Sequence, residues 1–117
     1  MADIGIDIVR MPRIEHLLHL TFGNSILALA FLPYEYAVLM SLRASQRVFE
    51  IASGFAIKEA VIKASNDELT IADFQKIAVA IEDKRPMSGA KRAIVRGQSF
   101  HISVSRLGQS ALAIAGL

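Results

Sequence analysis

The first apolar run, "IGIDIV" from Ile4 to Val9, is β-branched on both sides of its pleat apart from Gly5 and Asp7, the pattern of a strand in the middle of a sheet. Pro12 then suits the first turn of a helix that carries Ile14, Leu17, Leu18 and Thr21 at helical spacing, and "FGN" (Phe22 to Asn24) closes it. Pro33 predicts a second helix through Tyr36, Val38, Leu39, Met40 and Leu42. After the polar "RASQR" (Arg43 to Arg47) a longer helix is expected from Val48 to Ala64. On it Val48, Ile51, Ala52, Phe55, Glu59 and Ile62 share one stripe, while Ile57 and Val61 make the opposite side apolar too. Such a helix should be surrounded by protein. Beyond the break "SND" (Ser65 to Asp67), "FQKIAVAIE" (Phe74 to Glu82) reads as a strand and "DKRP" (Asp83 to Pro86) as a turn. Residues 87–98 fit a short helix followed by extended chain. "FHISVS" (Phe100 to Ser105), "RLGQ" and "SALAIAGL" (Ser110 to Leu117) read as a hairpin, with His101, Ser103 and Ser105 on one face and Phe100, Ile102 and Val104 on the other.

No repeat, low-complexity tract or linker interrupts this series, and 117 residues make one domain over residues 1–117. Hydrophobic residues make up 53% of the chain, above the average of about 45–50% even before glycine is counted. The surplus predicts surface buried between subunits. Thirteen Lys and Arg against 11 Asp and Glu leave a net charge of +2, scattered without the basic tail or aromatic-interleaved stripe of a nucleic-acid binder. No nucleic-acid partner is expected. The absence of cysteine removes disulfides, thiol nucleophiles and cysteine metal sites, and fits a reducing compartment. "MADIGIDIV" lacks the basic start of a signal peptide, and the run Ile26 to Leu32 stops at Pro33, too short to cross a bilayer. The expectation is a cytoplasmic protein with no membrane partner.

Two acids stand among apolar neighbours. Burying a lone carboxylate costs several kcal/mol unless something pairs with it, so Asp7 and Glu59 need partners. If strand and helix pack together, the two can share a divalent cation, Mg²⁺ keeping waters and substrate phosphates in its remaining positions. The plainer alternative puts Asp7 at an exposed strand end and pairs Glu59 with Lys63 at i, i+4. Lys58 and Lys63 can meet phosphates as point charges, or lie along the helix with solvated heads. His101 with Ser103 and Ser105 lacks a recognisable nucleophile-and-base arrangement and reads more simply as a solvated sheet face. His16 and His19 lack a third ligand nearby in sequence and read as surface residues. Arg10 and Arg13 form a small basic cluster suited to an acidic partner. Phosphate loops and dinucleotide fingerprints are absent.

Taken together, "GIDIV", "RI" at Arg13 and Ile14, "FAIKEAVIKA" at Phe55 to Ala64 and "HISVS" at His101 to Ser105 stand in an order and spacing that resembles the holo-acyl carrier protein synthases, the small bacterial class of 4′-phosphopantetheinyl transferases. The likeness covers nearly the whole chain, and the middle motif is its most specific part. The resemblance implies an α+β 4′-phosphopantetheinyl transferase fold, with an antiparallel sheet packed on a long buried helix. It also implies a homotrimer with active sites at subunit interfaces. The implied enzyme transfers 4′-phosphopantetheine from coenzyme A to a serine of an acidic apo acyl carrier protein and releases 3′,5′-ADP.

Carried over by motif, Asp7 and Glu59 would bind Mg²⁺ with the coenzyme's pyrophosphate, and Glu59 would receive the serine proton. Lys63 would contact phosphate, with Lys58 matching the other lysine of the motif. His101 and Ser103 would line the coenzyme site, Arg85 and Pro86 would lie near its adenine, and Arg13, assisted by Arg10, would meet the carrier. Gly54 and Arg106 stand where the family usually has arginine and histidine, "SND" replaces a glycine-containing turn, and "KRP" lacks the usual preceding glycine. A degenerate relative that binds a carrier or nucleotide without catalysis is the alternative these departures raise.

Overall fold

The computed structural model describes residues 4–82 and 84–117. Asp83, the first residue of the expected "DKRP" turn, lies outside them. Strand β1 (Ile4–Arg10) leads into three short helices, α1 (Met11–His19), α2 (Gly23–Ala30) and α3 (Pro33–Ser41), then the long α4 (Ala44–Ala64). A 3₁₀ turn at Ile71–Asp73 precedes β2 (Ala78–Val79), β3 (Arg92–Val95), β4 (Gln98–Leu107) and β5 (Ser110–Gly116). The strands form one antiparallel sheet in the order β1-β5-β4-β3-β2. This is the expected α+β arrangement of a sheet against a long buried helix.

The sequence places its turns where the backbone needs them. Leu107 pairs with Ser110, leaving Gly108 and Gln109 as the hairpin loop, and Gly108 takes φ +57°, which glycine reaches without steric cost. Alternation holds along β4: Phe100 and Ile102 face the core, while His101, Ser103 and Ser105 are exposed on the other face. The core lies between sheet and α4, with Ile51, Ala52, Ala56, Ala60 and Val61 of α4 packed among Ala111, Ala113 and Ala115 of β5 and their neighbours. Small β5 residues let the helix lie close. At Gly5 it lies closer still: a Cβ there would stand 2.0 Å from the Ala60 carbonyl oxygen and 2.6 Å from the Ala64 nitrogen.

Four expectations change. Among the described residues β1 is an edge strand, paired with β5 alone; Gly5 and Val9 are buried toward α4, whereas Ile4, Ile6 and Ile8 are more than half exposed. Its two-sided apolarity therefore does not mark a central strand within the chain. Residues 43–47 do not separate two helices, because Arg43 is the N-cap of α4 and the polar residues after it form its solvent-facing first turn. The first helix stops at His19 with Leu20 as its C-cap, short of Thr21, and "FGN" opens α2 rather than closing α1: Phe22 is the N-cap and Gly23 the first residue of a helix that has no capping side chain and no acid in its first turn to announce it. The strand expected over Phe74–Glu82 shrinks to Ala78–Val79, since Phe74 and Ile77 are taken up in successive turns with Phe74 N–H bonded to Ile71 and Ile77 N–H to Phe74.

Candidate active site

The seam between β1 and the last turns of α4 brings three of the singled-out residues together. Asp7 points toward α4, and Lys63 Nζ donates to Asp7 Oδ1 at 2.8 Å and to the Ile6 carbonyl at 3.1 Å. The close approach at Gly5 sets that distance, because strand and helix backbones nearly touch one step away. Glu59, one turn back along α4, lines with Asp7 a cavity of about 420 Å³ whose walls include Arg13, His16, Leu17 and Phe55.

Lys63 is about half exposed and Asp7 16% exposed. The hydrogen bond to Asp7 holds the Lys63 ammonium above its ordinary pKa against the opposing effect of burial, and the charges of Asp7 and Glu59 add to it. It is therefore a fixed positive charge at neutral pH. The simple i, i+4 pairing of Glu59 with Lys63 is not what forms: Lys63 turns to Asp7, and Glu59 takes no hydrogen bond or ion pair from any described residue. A half-buried carboxylate without a partner, facing a cavity beside a second carboxylate, is an acceptor site waiting for a cation or a proton donor.

Lys58 is not brought to this site, and its head is not solvated. Its Nζ is fully buried and donates to Glu35 Oε1 at 2.7 Å, the Ala30 carbonyl at 3.1 Å and the Gln75 carbonyl at 3.2 Å. The ammonium also lies 4.9 Å from the Phe31 ring centre. Burial lowers its pKa, while the charge and hydrogen bond of Glu35 raise it. Glu35 spends its remaining capacity on the Leu32 and Val79 N–H groups, both at 2.8 Å. Every proton of the ammonium thus has an acceptor, and α2, α3, α4 and β2 are tied at one point. Gly54 belongs to the same packing: a Cβ there would meet the Phe31 ring at 2.6 Å. The absence of a long side chain at position 54 is what lets Phe31 cover Lys58.

The remaining candidates lie elsewhere. Arg85 is exposed and lines a second cavity, of about 340 Å³, with Phe49, Lys84 and Arg106; Pro86 is buried beside it. The Arg106 guanidinium lies over the Phe49 ring at 5.0 Å. His101 and Ser103 face away from α4, on the sheet surface shared with Ile4, Ile6 and Ile114. Within one chain they are therefore on the opposite side of the sheet from Asp7. Arg13 is exposed at the rim of the first cavity, and Arg10 falls on the outer face in step with Ile4, Ile6 and Ile8. His16 and His19 are both at the surface. Sequence reasoning missed Glu35 and Glu50, whose carboxylates are buried and bonded across elements; neither an acid in the first turn of α3 nor one in the second turn of α4 gives a signal of so distant a partner.

Comparison with known proteins bears on the family and the fold. The family model of the 4′-phosphopantetheinyl transferase superfamily matches residues 3–115. A holo-[acyl-carrier-protein] synthase of Chlorobium chlorochromatii is 42% identical over 62 residues, covering 53% of this chain and 50% of that protein, so the match spans about half the length of each. Among solved structures, the holo-(acyl-carrier-protein) synthase of Bacillus anthracis in complex with CoA (3′,5′-ADP) superposes with a TM-score of 0.74 at 27% identity, over 97% of this chain and 93% of its own. The holo-[acyl-carrier-protein] synthase of Neisseria meningitidis shares the fold with a TM-score of 0.77 at 23% identity, covering 98% and 96%.

Proposed function

The chain belongs to the 4′-phosphopantetheinyl transferase superfamily, and from that membership we propose that it transfers 4′-phosphopantetheine from coenzyme A to a serine hydroxyl of an acidic apo acyl carrier protein. The observation that carries this reading is the pair Asp7 and Glu59 facing one cavity, with Lys63 fixed beside them and Glu59 unpartnered among the described residues. Two carboxylates are a suitable protein share for Mg²⁺, a hard cation that completes its shell with water and phosphate oxygens. Asp7 and Glu59 would hold it, and when bound it supplies neutralisation of the diphosphate charge.

The chain's own residues account for the rest. Lys63 brings a permanent positive charge toward the diphosphate, and its bond to Asp7 keeps that charge from swinging into solvent. The serine oxygen forms a bond to the pantetheine phosphorus as the phosphorus–oxygen bond to the adenosine side breaks; the bonding pair leaves with 3′,5′-ADP. The serine proton passes to the Glu59 carboxylate, directly or through a water. The apolar wall of Leu17 and Phe55 excludes competing water from the acceptor side. Arg13 at the rim, with Arg10 nearby, gives an acidic carrier a favourable approach.

The reading includes a homotrimer. Ile4, Ile6, Ile8, Ile114 and Leu107 are exposed on one sheet face beside the free edge of β1, more apolar surface than a lone chain usually leaves in water. His101 and Ser103 lie on that face, so they can contribute to a site beside Asp7 only when a neighbouring copy supplies them. No helix among the described residues is long and apolar enough to cross a membrane, and the cysteine-free composition suits the cytoplasm. A non-catalytic relative is the second reading, favoured by the packing of Phe31 into the space at Gly54, which leaves that position without the family's arginine.

Mass spectrometry separates the two. Apo carrier protein incubated with the chain, coenzyme A and Mg²⁺ should gain the mass of one phosphopantetheine group. Carrier or coenzyme binding by calorimetry, with no mass gain on any of several carriers, would favour the second reading.

A further inference from the structure

The turn that bears Arg85 and Pro86 is held by a residue far from it in sequence. Gly89 N–H bonds back to the Arg85 carbonyl at 2.9 Å and Ala90 N–H to the Met87 carbonyl at 3.1 Å, so residues 85–90 form a single isolated turn. The first N–H groups of such a turn have no partner within it. Glu50 supplies one: its Oε1 accepts the Met87 and Ser88 N–H groups at 2.8 and 2.9 Å, and its Oε2 accepts the Ser88 hydroxyl at 2.5 Å. Glu50 is only 4% exposed and Met87 not at all, so the bond to the Met87 N–H is shielded from competing water and, with the two part-buried bonds to Ser88, ties the turn to α4.

Glu50 also lines the second cavity, together with Lys84, Arg85 and Ser88 of the turn and with Arg106 over the Phe49 ring. Cations from two separate elements thus face one pocket, and Glu50 sets the place of one of the two groups. The pocket lies roughly 14 Å along α4 from Glu59, at 1.5 Å per residue, too far for Glu50 to touch the reacting phosphate.

We propose that Glu50 is a positioning residue for coenzyme A: by fixing the 84–88 turn it places Lys84 and Arg85 to receive the nucleotide end of the coenzyme in the cavity that Arg106 also lines. This rests on the function proposed above. A group that acts on the coenzyme through a turn changes how tightly coenzyme A binds, not how fast the bound complex reacts.

Steady-state kinetics and calorimetry on the full chain test it. Glu50→Ala should raise both KM and Kd for coenzyme A roughly tenfold, leaving kcat and the KM for carrier within about twofold. Glu50→Gln, which keeps an acceptor for the two N–H groups, and Ser88→Ala, which removes only the hydroxyl bond, should each weaken coenzyme A by a few-fold. Unchanged coenzyme A affinity in folded Glu50→Ala would overturn the proposal, as would a fall in kcat with no change in that affinity. If Glu50→Ala does not fold, wild-type affinity in both milder variants overturns it equally. Failure of the wild-type chain to bind coenzyme A would overturn both readings, whereas wild-type binding retained by Glu50→Ala overturns this one alone.

Discussion

Lys58 and Lys63 stand on the same helix and share a motif, yet the structure gives them opposite surroundings. Lys58 is sealed, with three acceptors for its ammonium and a carboxylate whose other bonds go to backbone N–H groups. Lys63 is half exposed and pairs with Asp7 at a cavity where Glu59 has no described partner. A closed polar network stabilises one arrangement of the chain, because opening it strands a charge in a low-dielectric interior. An open one costs little to disturb and leaves capacity for a ligand. On the function proposed above, fold and chemistry are divided between two flanks of α4.

The largest test of that division is Lys58→Ala, which leaves the Glu35 carboxylate buried without its cation and should lower unfolding free energy by about 3–5 kcal/mol in denaturant titration. A variant as stable as the parent would erase the contrast. Asp7→Asn should act the other way, cutting transfer by about a hundredfold, or roughly 3 kcal/mol of barrier, while stability changes by under about 1 kcal/mol because the Lys63 pair is near the surface. Gly5→Ala lies between, since a methyl group would press on the α4 backbone; it should cost about 1–3 kcal/mol of stability and, by parting Asp7 from Lys63, lower activity too.

The smallest effect concerns Asp73, remote from both flanks. The Thr70 N–H donating to its carboxylate lowers its pKa, helped by Arg96 at 2.8 Å and opposed by burial. With the folded value below the unfolded one, its stabilisation is complete above the unfolded carboxyl pKa and is lost as pH falls through the folded value. Thermal melts should show Asp73→Asn below the parent at about pH 6, with the two converging as the pH falls below the ordinary carboxyl range. A gap that persists in acid would assign the effect to packing instead.

Much of the exposed flank was legible in the chain. Apolar periodicity placed α4, and the acid within its stripe pointed to Glu59; the apolar setting of Asp7 marked it as an acid in need of a partner without showing which face it takes, and strand alternation separated His101 and Ser103 from the core side of β4. The sealed flank was not legible. Glu35 looks like an ordinary first-turn acid after Pro33, and only the folding of α3 against α4 brings it to Lys58. Likewise, no local pattern distinguishes the edge position of β1 from a central one, because Ile4, Ile6 and Ile8 carry apolarity suited to cover from outside the chain. Residues 44–47 read as a break because a polar first turn and a polar loop have the same composition; Arg43 at the N-cap decides it.

Glu59→Gln probes the central claim most directly, because it keeps the side chain's shape and removes only its charge and basicity. Measured beside the parent with coenzyme A, Mg²⁺ and apo carrier, its single-turnover transfer rate should fall by a hundredfold or more while its melting temperature stays within about 2 °C. A folded Glu59→Gln protein that transfers phosphopantetheine at the parental rate would contradict the account.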